Sequence, residues 1–123
     1  MLQSIYLQNN GSHKFSITAL PGYAQVSAIN GIVPADIDGD GNKDLVLSGN
    51  FYPFRVQLGP LDGSIGLVLR GDGKGNFAPQ YFEQTGLYIN GDVRNMISVN
   101  VAKNIFLIIA KNNGSIQVIK VPD

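Results

Sequence analysis

Gly71-Asp72-Gly73-Lys74-Gly75-Asn76-Phe77 reads as a glycine-rich turn that runs into an aromatic strand start. The chain carries the same pattern once before, as Asn9-Asn10-Gly11-Ser12-His13-Lys14-Phe15, with the two phenylalanines 62 residues apart. That spacing is a repeat period. Downstream, each copy passes a glycine-bearing stretch, Pro21-Gly22-Tyr23 in the first and Thr85-Gly86-Leu87-Tyr88 in the second. Each then reaches an apolar strand, Leu45–Leu47 or Phe106–Ile109. A unit that repeats at this length does not bury its apolar faces alone and stacks on neighbours.

The stretches around these copies read as strands, and no convincing helix is evident. Ser4–Gln8 alternates, Phe15–Thr18 is short and β-prone, and Tyr23–Ile29 alternates apolar with small residues. Leu45–Ser48, Phe54–Leu58 and Ile65–Leu69 follow, with Gly59-Pro60-Leu61-Asp62-Gly63 as a turn. A strand starts at Phe77, and Ile105–Ala110 is continuously apolar, as an inner strand buried on both faces would be. Asn112-Asn113-Gly114 turns the chain into Ile116–Val121. About ten short strands with turns between them predict an all-β sandwich, barrel or propeller.

Within the first copy lies Asp36-Ile37-Asp38-Gly39-Asp40-Gly41-Asn42-Lys43-Asp44, four carboxylates in one short loop. A calcium loop offers side chains at positions 1, 3 and 5 and a backbone carbonyl at position 7. Asp36, Asp38, Asp40 and the Asn42 carbonyl hold those places, while glycine at 39 and 41 gives the backbone freedom to turn. Without a cation, charges this close repel one another. An EF-hand would continue to a glutamate at position 12. Here that position is Leu47, inside a strand-like run, so Asp44 is the natural closing ligand of a strand-to-strand loop. Asp-Gly turns occur for conformational reasons alone, but four acids exceed what a turn needs. In the second copy Val99-Asn100-Val101-Ala102-Lys103-Asn104 stands in the corresponding place without a carboxylate, so one cation site per chain is expected.

Composition narrows the function classes. Nine basic and nine acidic residues cancel, which gives no footprint for nucleic acid or an anionic membrane. Cysteine is absent, so thiolate metal sites and disulfides are excluded. No apolar stretch approaches a membrane span. Met1-Leu2-Gln3-Ser4 lacks the basic and apolar regions of a signal peptide, which a longer precursor could have carried.

The glycine turns together with Asp36–Leu45 resemble the FG-GAP/VCBS repeat family, whose blades form integrin-α-type β-propellers. Residues 49–121, with Gly71–Phe77, Gly86-Leu87-Tyr88-Ile89 and Gly91-Asp92-Val93-Arg94, are similar to the C-terminal end of large secreted or surface VCBS-repeat proteins of Bacteroidetes-like bacteria. The resemblance implies about two four-stranded blades, residues 1–60 with the calcium loop and 61–123 without it. It also implies a structural calcium on Asp36, Asp38, Asp40, the Asn42 carbonyl and Asp44, and an extracellular or cell-surface setting. A closed propeller needs ~4 to 8 blades. Two leave bare edges and faces, so either the chain adjoins further blades or copies of it associate into a ring or filament.

Other motifs are weaker. Arg70-Gly71-Asp72 spells an adhesion tripeptide inside the glycine turn. Asn10-Gly11-Ser12 and Asn113-Gly114-Ser115 fit a glycosylation acceptor pattern but read as bare turns in a bacterial protein. The Gly71–Gly75 run lacks the Gly-Lys-Ser/Thr ending of a phosphate loop. His13 reads as a turn residue. Tyr52, Phe54, Tyr81, Phe82 and Tyr88 could line a carbohydrate platform, the blander account being aromatics buried between blades. Three classes follow: a non-enzymatic, calcium-stabilised scaffold or interaction module, a carbohydrate-binding or adhesive module, and an enzyme. The last lacks an acid and base pair outside the loop.

Overall fold

The computed structural model describes residues 3–52 and 63–121. Among them nine strands form three antiparallel sheets, each assembled from consecutive strands. β1 (Ile5–Asn9) and β2 (Phe15–Ala19) make a hairpin. β3 (Ile29–Ala35), β4 (Asp44–Gly49), β5 (Leu67–Gly71) and β6 (Phe77–Gln80) make the central sheet. β7 (Val93–Val101), β8 (Asn104–Lys111) and β9 (Gln117–Lys120) make the last.

The repeated turn does the same work in both copies. Asn9 pairs with Phe15 and Gly71 with Phe77. The turns close through Asn10 N to Lys14 O at 2.9 Å and Asp72 N to Asn76 O at 3.2 Å. Gly11 and Gly73 take positive φ of 78° and 70°, the left-handed conformation that favours glycine. A second equivalence links β3–β4 to β7–β8. Both pairs carry a register shift at the start, Ile29/Gly31 and Val93/Asn95. Counting on from it, the row Val33–Val46–Val68 corresponds to Ile97–Ile108–Val118, and Asp44 corresponds to Phe106.

The last sheet packs broadly on one face of the central sheet and the hairpin touches the other face through Tyr6, because alternate side chains of each strand point to opposite faces. One face of the central sheet, through Val33, Ala35, Val46 and Val68, packs on Met96, Leu107 and Ile109 of the last sheet, together with Leu87, Ile89 and Val121. The other face, through Leu45, Leu47, Leu67, Leu69 and Phe77, packs on Tyr6, Leu20 and Ala24. Tyr6 meets Phe77 edge to face at 5.1 Å. Fully burying an aliphatic side chain such as Leu69 contributes about 1.5–3 kcal/mol.

Several expectations are corrected. The all-β class holds, and among the described residues one sheet has four strands and the other two have two and three. Of the central sheet, β3 and β4 precede residue 60 and β5 and β6 follow it. The strand expected over Tyr23–Ile29 is absent up to Ala28, where Gly22–Gln25 forms a 3-10 turn that buries Ala24, and only Ile29 belongs to a strand. β3 and β7 were not expected, since Gly31 and Pro34 in one and the polar Arg94, Asn95, Ser98 and Asn100 in the other hide their alternation. A four-residue helix, Phe82–Thr85, is capped by Tyr81 N donating to Gln84 Oε1 at 2.9 Å and stopped by Gly86 at φ 64°. In β8, Leu107 and Ile109 are buried but Phe106 and Ile108 are half-buried, so one face only is covered. The strand expected over 54–58 and the turn from 59 to 62 lie outside the described residues.

Candidate metal centre

The pair Ala35–Asp44 ends the β3–β4 ladder, and residues 36–43 project beyond it as the acidic loop. The loop is organised by its own carboxylates. Asp36 accepts from Gly39 N at 2.8 Å through Oδ1 and from Gly41 N at 3.0 Å through Oδ2. Asp38 Oδ1 accepts from Asp40 N at 3.2 Å, and Asp40 Oδ1 from Asn42 N at 2.8 Å. Gly39 and Gly41 sit at φ 75° and 86°, which is where the chain turns to bring these donors inward. As a result Asp36, Asp38 and Asp40 each offer a carboxylate oxygen within 4.8 Å of the others.

Asp44 has a different role. Its side chain is buried, Oδ2 accepting from Ile37 N and Oδ1 from Gly71 N, both at 2.9 Å. It therefore ties the loop to β5 and stands outside the cluster of three. Gly71 is required here, because a side chain at that position would run into the Lys43 carbonyl. The Asn42 side chain packs beside Gly73 of the next turn.

Arg70, on β5, faces the same carboxylates. Its Nε lies 2.6 Å from Asp38 Oδ2 and its Nη2 3.2 Å from Asp40 Oδ2. The hydrogen bond to Asp40, reinforced by the charge of Asp38, holds the guanidinium more firmly protonated. The Asn42 amide, with Arg70 assisting, holds the Asp40 carboxyl below its ordinary value. Arg70 thus supplies part of the countercharge that a divalent ion would otherwise bring. The donor set fits a hard cation: carboxylate oxygens with further lone pairs, no nitrogen or sulfur ligand. Calcium takes six to eight oxygens, so water would complete the shell.

The adhesion tripeptide is consumed by these contacts. Arg70 is paired and Gly71 buried, while Asp72 closes its own turn by accepting from Lys74 N at 2.8 Å and Asn76 N at 3.0 Å. His13 lies in the β1–β2 turn at φ 60°. The aromatics are not buried between layers. Tyr81 meets Tyr23 at 5.3 Å and Phe82 meets Tyr88 at 6.3 Å, all four about half exposed, whereas Tyr52 lines a separate cavity and Phe54 lies outside the described residues.

One acid escaped the sequence reading. Asp92 is buried beside a cavity of about 440 Å³ lined by Tyr52, Asn112 and Gln117. Its Oδ2 accepts from Arg94 Nη2 at 2.8 Å and Asn112 Nδ2 at 3.1 Å, while its Oδ1 has no partner among the described residues. A lone acid placed between apolar Ile89 and Val93 was the available signal.

Fold and loop together define the class as a layered antiparallel β chain with one acidic inter-strand loop pinned to its neighbouring strand. No known protein family, curated protein or solved structure matches it. No helix among the described residues is long and apolar enough to cross a membrane.

Proposed function

We propose that the chain is a non-enzymatic, calcium-stabilised scaffold or interaction module of an extracellular or cell-surface bacterial protein. Its layers act as β-propeller-type blades that stack with adjoining blades or with further copies. The observation that carries this reading is the convergence of Asp36, Asp38 and Asp40 within 4.8 Å at a strand junction. Calcium there would hold the β3–β4 connection closed, with Asp36, Asp38, Asp40 and the Asn42 carbonyl as ligands and Asp44 as either a further ligand or the anchor beneath them. The role is structural: an ion that binds only the folded loop stabilises by mass action.

The test is thermal unfolding with added calcium and with chelator. At a hundred times its dissociation constant a ligand stabilises by about 2.7 kcal/mol, which for a domain of this size is on the order of 10 °C. Chelation should remove that shift, and Asp38→Ala should make the melt insensitive to calcium. An unchanged melting temperature on chelation refutes the calcium reading.

A second reading, a carbohydrate-binding module, draws on the exposed cluster of Tyr23, Tyr81, Phe82 and Tyr88. Binding on a glycan array that is lost in Tyr81→Ala would favour it.

A further inference from the structure

The three sheets have a direction. Let the front of each sheet be the face turned toward the β1–β2 end of the stack and the back the opposite face. Both internal interfaces join a back to a front: Tyr6 on the back of the hairpin meets Phe77 on the front of the central sheet, and Val33, Val46 and Val68 on its back meet Leu107 and Ile109 on the front of the last. Among the described residues two faces have no further sheet on them. One is the front of the hairpin and the other is the back of the β7–β9 sheet.

Both bare faces are apolar. Paired residues share a face, so the register Leu7–Ile17 and Asn9–Phe15 puts Ile5, Leu7, Phe15 and Ile17 together on the hairpin front, each between 48% and 68% exposed. On the last sheet the row Ile97–Ile108–Val118 lies beside Val99–Phe106, with Ile97 and Val118 at 51% and 59%. Contiguous apolar patches of this kind mark contact surfaces.

The molecule also shows what covers such faces. The row Ile97–Ile108–Val118 is the counterpart of Val33–Val46–Val68, which is at most 5% exposed because the next layer lies on it. Leu7 and Phe15 are the counterparts of Leu69 and Phe77, which pack against Tyr6 of the hairpin and against Leu20 and Ala24 just after it. Each bare face is thus a position that is covered elsewhere in the same chain, and the two are of opposite kind.

We propose that the hairpin front of one copy docks on the β7–β9 back of a second copy, head to tail. This rests on the reading of the chain as a stacking module and adds which faces meet. The contact is heterologous, so it closes into a ring or runs on as a filament according to its rotation.

The test combines sedimentation with complementation. Wild-type chain should assemble with rising concentration. Leu7→Asp/Ile17→Asp removes one face and Ile97→Asp/Val118→Asp the other, so each variant alone should stay monomeric. Mixed in equal amounts they retain one intact interface and should give a species of twice the monomer mass. A wild type that stays monomeric overturns stacking between copies, and the face assignment with it, and leaves only stacking on adjoining blades of a longer chain. A wild type that assembles while the mixture stays monomeric, or while either variant alone still assembles, overturns the face assignment only. Should an aspartate variant lose its cooperative melt, cross-linking decides instead. The chain has no cysteine, so Leu7→Cys and Val118→Cys chains joined by a short bis-maleimide should give more mixed than like-with-like dimer, and equal yields refute the contact.

Discussion

The connections β3–β4 and β7–β8 join strand pairs of matching register, yet beyond the equivalent pairs Ala35–Asp44 and Val99–Phe106 the first spends eight residues on a loop while the second adds two more ladder pairs and turns on two residues. Val101 pairs with Asn104 across Ala102 and Lys103, while Ala35 pairs with Asp44 across the whole acidic loop. The shorter version shows that the fold does not require the longer one. Residues 36–43 and their acids therefore serve something other than reversing the chain. The flanking residues changed with them: Asp44 stands where Phe106 stands, and Arg70 where Lys120 stands.

The most damaging way to probe that difference is at the anchor. Asp44→Ala strips the acceptor from two amides, and a buried donor left unsatisfied costs about 1–3 kcal/mol. A loss of about 3 kcal/mol is expected from the two together. At the matching position Phe106→Leu leaves no polar group unpaired and should cost less than about 1.5 kcal/mol. Urea unfolding of both variants decides, and equal losses would mean that Asp44 does no more than fill space.

A smaller effect separates Arg70 from the proposed calcium ion. Arg70 occupies oxygens of Asp38 and Asp40 that a calcium ion would share. Removing it leaves the carboxylates without that countercharge, so Arg70→Ala should tighten calcium binding several-fold while making the calcium-free loop less stable. Calorimetric titration of both proteins measures this. Weaker binding in the variant would show that Arg70 shapes the site instead of competing for it.

The same comparison explains what could be read from sequence. The β1–β2 and β5–β6 hairpins were legible because their turns need glycine at positive φ, a requirement that leaves a visible pattern. The acidic loop stood out because acids recur at alternate positions between two strands. Partner strands β3 and β7 were not, since their register is fixed by the strands they pair with and not by clean alternation of their own. The roles within Asp36–Asp44 were equally hidden. Spacing marks all four acids as ligands, but only packing shows Asp44 turned inward to Gly71 while Asp36, Asp38 and Asp40 converge. Arg70 was invisible for a related reason: it reaches the loop from a strand 30 residues further on.

The smallest expected effect is on pH. Asp40 is held below its ordinary value of 3.8 chiefly by the Asn42 amide, and Asp72 below the same value chiefly by the Asn76 side chain. A carboxyl whose value is depressed by folding contributes stability that is present above the ordinary value and is lost as pH falls through the folded one. Both groups are exposed, so solvent screens the gain. In chelator, which removes any contribution from metal release, the urea midpoint should fall slightly between about pH 5 and pH 2. Asp40→Asn/Asp72→Asn should flatten that fall, because asparagine does not titrate. The Ala102-Lys103 turn carries no carboxylate, so substitutions there should leave the slope alone. A slope unchanged in the double variant would place the acid sensitivity in other carboxylates and remove these two turns from the account.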